Sequence, residues 1–184
     1  MEMQTQETPF RWGIIGCGLI APRFHHALAA TREGHVAAAA SKSMRRAKRL
    51  QRKTGIGHVY DSYAAMLENE MLDAVYIATT HNDHAANARL CLDRNLPVLV
   101  EKPFTQNARQ AGDIAALARG RKLFAMEAMW TRFNPATQKM RALLAEGAIG
   151  KPRHLQADFC VRMNPLSRKM MPWNRMFNPR LAGG

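Results

Sequence analysis

A short apolar run that breaks into glycines and resumes as a helix leaves few folds open, and this chain makes that transition near its start. Residues 10–23 read Phe-Arg-Trp-Gly-Ile-Ile-Gly-Cys-Gly-Leu-Ile-Ala-Pro-Arg. Gly16 permits a tight turn through backbone angles that other residues avoid, and Gly18 lets the main chain approach an anion with no Cβ in the way. Ala21 takes the third small position, giving G-x-G-x-x-A, a variant of the dinucleotide-binding fingerprint. Leu19 and Ile20 close the turn, where free N–H groups at the positive end of a helix suit a pyrophosphate. Pro22 falls in the first helical turn, where a missing N–H costs least. Glycine pairs also occur in ordinary strand-to-helix turns, so the motif needs a second strand about 20 residues on. Residues 35–41 supply it as a short apolar run.

The end of that second strand bears on which dinucleotide fits. An NAD site usually places Asp or Glu there to bind the ribose 2′-OH, whereas an NADP site offers cations and hydroxyls to a 2′-phosphate. Residues 34–60 contain no acid. Ser41 and Lys42 are therefore expected as direct contacts, with Arg46 one helical turn on, and NADP is favoured over NAD. Arg45, Lys48, Arg49, Arg52 and Lys53 read as a solvated basic helix face.

Composition excludes several classes. The 184 residues, 47% apolar, suffice for a sizeable core, and no run approaches the ~20 apolar residues of a membrane span. Residues 1–9 form a polar tail without the apolar centre of a signal peptide, which points to the cytoplasm. Cys17, Cys91 and Cys160 are too scattered for a disulfide framework or a four-ligand zinc site and read as free thiols. A net charge of +13 favours phosphate-bearing partners. The basic residues are nevertheless spread over several helices, with no helix-turn-helix, zinc-finger or aromatic RNA-binding pattern, so nucleic acid is not expected as a partner.

The remaining chain alternates strand and helix signals. A helix is expected over residues 21–30, a short strand over 58–60, a helix over 63–68 and a buried parallel strand over 72–79. Thr79, Thr80, His81, Asn82, Asp83 and His84 then read as a polar loop at a carboxyl strand end, where open α/β sheets bind ligands. Helix-start capping and cofactor contacts by Thr79, Thr80, His81 and His84 are favoured over a metal site, because no further ligand cluster accompanies the two histidines. A helix over 85–94 leads to a strand over 97–101 and at once to Lys102, a cation at the same sheet edge as the glycine turn. A helix over 107–119 and a strand over 123–128 complete a doubly wound parallel sheet of Rossmann type. Beyond it, residues 136–146 read as a helix ended by Gly147, and 154–161 as a strand opening a second α/β domain.

Glu101-Lys102-Pro103, the upstream Gly16-Cys-Gly-Leu-Ile-Ala21 and the downstream Glu127-Ala-Met-Trp-Thr-Arg-Phe-Asn-Pro135 together resemble the glucose-fructose oxidoreductase, inositol dehydrogenase and MocA (Gfo/Idh/MocA) family. The Met-Trp-Thr-Arg-Phe version is most similar to its dihydrodiol dehydrogenase and glucose-fructose oxidoreductase branch. The resemblance implies a Rossmann domain over 10–128 and the start of an incomplete α/β domain over 129–184. It implies that Lys102 lies beside the nicotinamide and the reacting hydroxyl, with Glu101 next to the cofactor and a cis bond before Pro103. Trp130 and Arg132 become candidates for the cofactor pocket, and Trp130 and Phe133 for the substrate pocket. Relatives continue past residue 184 with an apolar helix carrying a Gly-x-His or Gly-x-Tyr acid/base and with most of a large sheet, through which homo-oligomers form.

The expected function is an NADP-dependent oxidoreductase acting on a sugar, polyol or diol, with Lys102 as the catalytic residue that orients and polarises the oxygen. The alternative is a nucleotide-binding module or truncated product without catalysis. Because the acid/base helix lies beyond these residues, the 184-residue chain is expected to turn over substrate slowly.

Overall fold

The computed structural model of the chain describes residues 9–158 and 160. The described chain divides into two compact units between Ala128 and Met129.

The first unit alternates strand and helix: β1 (Phe10–Ile15), α1 (Ala21–Thr31), β2 (Gly34–Ala40), α2 (Met44–Thr54), β3 (His58–Tyr60), α3 (Tyr63–Asn69), β4 (Ala74–Ile77), α4 (His81–Leu92), β5 (Val98–Val100), α5 (Ala108–Gly120) and β6 (Ala125–Glu127). All strand pairs are parallel, in the order β3-β2-β1-β4-β5-β6. Sequential strands spread first to one side of β1 and then, from β4, to the other. This reversal makes the carboxyl ends of β1 and β4 the switch point at which open α/β sheets form a crevice.

Burial on both faces explains the strand sequences. Ala74, Val75, Tyr76 and Ile77 are all buried, so β4 reads as a continuous apolar run rather than an alternating one. One face of the sheet packs Ile15, Val75, Ile77 and Val100 against Met66, Leu92 and Ile114 of the helices. The other packs Ile14, Ala39 and Tyr76 against Ala21, Ala47 and Leu50. On that second face the Phe24 ring of α1 stacks on Tyr76 at 4.0 Å between centroids. In α2 only Ala47 and Leu50 are buried, so its cations face solvent.

The helix expected over 85–94 begins earlier, at His81. The residues read as a polar loop, His81 to His84, form its first turn. Thr80 adopts the extended conformation of a helix-preceding residue, and Asp83 sits where the helix dipole favours an acid. The helix also stops sooner, at Leu92, with Asn95 in the left-handed region at φ 59°. The strands expected over 72–79, 97–101 and 123–128 are each shorter, although Asp73, Ala78, Glu101 and Ala128 just outside them still donate backbone hydrogen bonds to neighbouring strands.

The second unit contains a single 3-10 turn (Trp130–Phe133) and α6 (Pro135–Ala145), among the described residues. Asn134 caps α6 by accepting a hydrogen bond from the Ala136 N–H at 2.9 Å, with Pro135 at the helix start. The strand expected over 154–161 is not present among residues 154–158 and 160, and its remaining positions, 159 and 161, lie outside the described residues. A β-favouring sequence needs a partner strand to satisfy its backbone, and none is supplied here among the described residues. Among those residues no helix is long and apolar enough to cross a membrane.

Cys17 and Cys91 are buried and Cys160 is exposed. Burial pushes the Cys17 thiol up to about 11 and the Cys91 thiol up to about 12. At pH 8 on the order of a thousandth or less of either is thiolate. A chromogenic disulfide reagent should therefore titrate one thiol per native chain rapidly and the other two only after denaturation; rapid reaction of Cys17 in the native protein would contradict the burial.

Candidate functional site

The glycine turn is pinned between two strands. Gly16 donates its N–H to Ala40 O at 2.8 Å, and Ala78 donates to Ile15 O at 2.7 Å. Gly16 has φ +103°, and a Cβ placed on it would stand 2.6 Å from the Ala78 carbonyl carbon and 2.7 Å from Thr79 N. Both angle and space therefore demand glycine. Gly18 is different: its added Cβ would meet only Ala78 O, at 3.8 Å, so its surface is open to a ligand. Leu19 is 92% exposed beside it, Ile20 is half-buried, and Ala21 is buried.

Helix starts differ around the sheet. Ser62 caps α3 and Asn107 caps α5 with side-chain oxygens at 3.3 and 3.0 Å. The helices that follow β1, β2 and β4 start at Ile20, Ser43 and Thr80 without a side-chain cap. These three strands are neighbours in the sheet. The three helices therefore start at one carboxyl edge with no side-chain cap, and a helix start of this kind, with its dipole, favours an anion.

At the end of β2, Ser41 is buried and its hydroxyl accepts the Ser43 N–H at 3.3 Å, which shapes the turn. Lys42 and Arg46 are exposed. Lys42 Nζ lies 3.1 Å from Asp83 Oδ2 of α4, an acid the sequence reading had not associated with this position. Thr79 Oγ1 accepts from Asn87 Nδ2 at 3.2 Å, and Thr80 is exposed.

Lys102 is carried on a loop held from three directions. Tyr76 OH donates to Glu101 Oε1 at 2.6 Å, and the other oxygen of Glu101 accepts the Lys102 N–H at 3.2 Å. His84 Nδ1 lies 2.8 Å from Pro103 O, with its Nε2 3.3 Å from Thr79 O. Glu127 Oε1 accepts the Phe104 N–H at 2.8 Å. The Lys102–Pro103 bond is cis. The Lys102 side chain is exposed, and its ammonium has no hydrogen bond or ion pair to another described residue. The register sets Ile15 beside Ile77 and Ile77 beside Val100, so the glycine turn and Lys102 leave the same edge two strands, roughly 10 Å, apart.

For His84, expected as a helix-start cap or cofactor contact, the surroundings are protein backbone. It is wholly buried, and both ring nitrogens face backbone carbonyls, so it braces the Thr79 and Pro103 loops. His81 packs edge-on to it at 5.6 Å between ring centroids. Among the described residues no cluster of three or more His, Cys, Asp or Glu side chains could hold a metal ion. Trp130, Arg132 and Phe133 belong to the second unit, where Trp130 and Phe133 are 62% and 60% exposed on the 3-10 turn. Tyr76 and Glu127 were not expected as site residues, and Asp83 was read only as part of the polar loop after β4. Tyr76 looks like core within an apolar strand, and the pairing of the two acids is long-range.

A recess of about 440 Å³ lies among Gly34, His35, His58 and His25. It opens at the amino ends of β2 and β3, away from the converging helix starts, so it lacks the amide groups a pyrophosphate needs.

Strand order, glycine turn and uncapped helix starts define a Rossmann domain of the dinucleotide-binding class. Residues 10–128 match the family model of the Gfo/Idh/MocA oxidoreductases, an oxidoreductase family with an NAD-binding Rossmann fold, and the chain belongs to this family. It is 40% identical over 151 residues to the trans-1,2-dihydrobenzene-1,2-diol dehydrogenase of Sus scrofa, covering 81% of this chain and 45% of the relative. It is 38% identical over 189 residues to the NADP(+) D-xylose 1-dehydrogenase of Hypocrea jecorina, covering 95% and 48%. A 3-ketoreductase from Actinomadura kijaniata, solved with TDP-benzene and NADP, superposes with a TM-score of 0.71 at 38% identity, over 78% of this chain and 45% of that one. An oxidoreductase from Agrobacterium radiobacter, solved with NAD+, L-tartaric acid and magnesium, gives 0.74 at 28% identity, over 79% and 42%. The chain thus spans about half the length of the curated relatives it matches.

Removing the Tyr76 hydroxyl leaves a half-buried Glu101 oxygen without its partner. Tyr76→Phe should cost about 1.5–3 kcal/mol in urea unfolding, the usual value of a hydrogen bond to a charged group; a change below about 0.5 kcal/mol would show that Glu101 is not held there.

Proposed function

We propose that this chain binds NADP(H) in the crevice at the β1–β4 switch point and serves an oxidoreductase acting on a hydroxyl or carbonyl of a sugar, polyol or diol. The observation that carries the reading is the common edge: Gly16 and Gly18, Lys42 and Lys102 follow β1, β2 and β5 at the same carboxyl side of one parallel sheet. The residues present fit a dinucleotide. The turn at Gly16 has no room for a Cβ, Gly18 is open, and the first-turn amides of α1 are uncapped.

The pyrophosphate would lie on the Gly18, Leu19 and Ile20 amides, and the 2′-phosphate against Lys42 and Arg46, with Ser41 shaping that turn. Thr79, Thr80 and His81 border the crevice after β4, while His84 and Glu101 act from behind by fixing the loops. Nicotinamide, when bound, supplies the hydride acceptor or donor. Lys102 would donate a hydrogen bond to the substrate oxygen, orienting it and stabilising negative charge on it. The Tyr76–Glu101 bond and the braced Pro103 fix the position from which Lys102 reaches. In this reading residues 10–128 are the cofactor domain, and residues 129–184 open a substrate domain to which Trp130, Arg132 and Phe133 belong. The names of the matched relatives, a diol dehydrogenase and a D-xylose dehydrogenase, support the substrate class.

NADPH should bind more tightly than NADH in calorimetry, and Lys42→Asp should abolish or reverse the preference, since a charge-assisted phosphate contact is worth about 1.5–3 kcal/mol. Equal affinities in the unmodified chain would contradict the assignment. Lys102→Ala should leave NADPH affinity within about twofold and lower turnover of diol or pentose substrates by roughly 10²–10⁴. Unchanged turnover would remove Lys102 from the chemistry.

A further inference from the structure

The proposed NADP preference rests on Lys42, and the following inference rests on that reading in turn. Lys42 is not an unattached cation. Its Nζ donates to Asp83 Oδ2 at 3.1 Å and stands 5.9 Å from the centroid of the Tyr63 ring. Asp83 comes from 41 residues away, in the first turn of α4. The pair therefore joins the end of β2 to the helix after β4, on either side of β1, whose own end is the glycine turn. It stands at the crevice the cofactor would occupy. The absence of an acid from residues 34–60 thus misstates the charge around Lys42, because the acid arrives from another element.

We infer that Asp83 is a specificity-determining residue that competes with the cofactor's 2′-phosphate for Lys42 and so limits the discrimination between NADP(H) and NAD(H). The side chains of Lys42 and Asp83 are 69% and 31% exposed, so the pair is screened by solvent and exchanges readily. A 2′-phosphate carries more charge than one carboxylate and draws Lys42 away, but Lys42 must first relinquish Asp83. The carboxylate left behind then repels the phosphate. A ribose 2′-OH feels neither effect. Asp83 also holds Lys42 firmly in its charged form, since their hydrogen bond raises the lysine's pKa. The other ties of Asp83 are local: Oδ1 accepts from Asn82 at 3.1 Å, and its N–H donates to Thr80 O at 2.9 Å. Asparagine can retain both while removing the charge.

The test is calorimetry with NADPH, NADH, 2′,5′-ADP and 5′-AMP on the unmodified chain, Asp83→Asn, Lys42→Ala and the double variant, at low salt, with thermal melts to confirm folding. Asp83→Asn should tighten NADPH and 2′,5′-ADP about two- to fivefold, as expected for release of an exposed ion pair. NADH and 5′-AMP should be unchanged, and the gain should shrink or vanish in the Lys42→Ala background. Asp83→Ser repeats the measurement should the Asn variant melt early. Unchanged or weaker NADPH binding, equal tightening of both nucleotides, or a full gain without Lys42 would overturn the inference while the NADP assignment stands. Failure of the unmodified chain and of Asp83→Asn alike to distinguish 2′,5′-ADP from 5′-AMP would overturn the NADP assignment and the inference together.

Discussion

The close approach of Gly16 to the backbone of Ala78 and Thr79 is the contact on which the site depends. With no Cβ and a positive φ, the chain leaving β1 turns between the ends of β2 and β4, bonded to Ala40, while Ala78 bonds back to Ile15. Because β1, β2 and β4 end together there, the uncapped starts of α1, α2 and α4 gather at one place. A larger residue at position 16 would push these ends apart and disrupt the turn, and with it the proposed anion site.

A second level of organisation lies behind the edge. Lys102 is exposed, but the loop carrying it is tied to β4 by Tyr76, to α4 by His84 and to β6 by Glu127. Tyr76 is itself clamped by Phe24 of α1, the helix that begins at the glycine turn. The glycine-turn end of α1 and the lysine are thus parts of one packed structure. Such support matters because a charged group positioned by packing loses less entropy when it meets its ligand than a free one.

Much of this was legible in the sequence, for physical reasons. Parallel strands covered on both faces must be apolar throughout, and β4 announced itself that way. Gly16 was legible because the turn tolerates nothing else. The start of α4 was not, since His-Asn-Asp-His looks like loop chemistry although the same polar residues suit a helix's first turn. No strand forms over the described part of 154–161, residues 154–158 and 160, since strand-favouring residues do not make a ladder without partners. Side-chain pairings across 41, 25 and 23 residues, those of Lys42–Asp83, Tyr76–Glu101 and Phe104–Glu127, are set by topology and leave no local pattern to read. His84 illustrates the limit: its place after β4 suggested a helix-start cap or a cofactor contact, and the fold buries it against the Thr79 and Pro103 carbonyls.

The central claim is that one nucleotide-binding crevice occupies the carboxyl edge at the β1–β4 switch point. Backbone amide hydrogen exchange, measured with and without saturating NADPH, tests it most directly. Binding there should slow exchange in the segments 16–23, 41–46 and 79–84, and leave the amino-edge recess around Gly57 and His58 unchanged. Protection confined to that amino edge, with the glycine turn unaffected, would contradict the account.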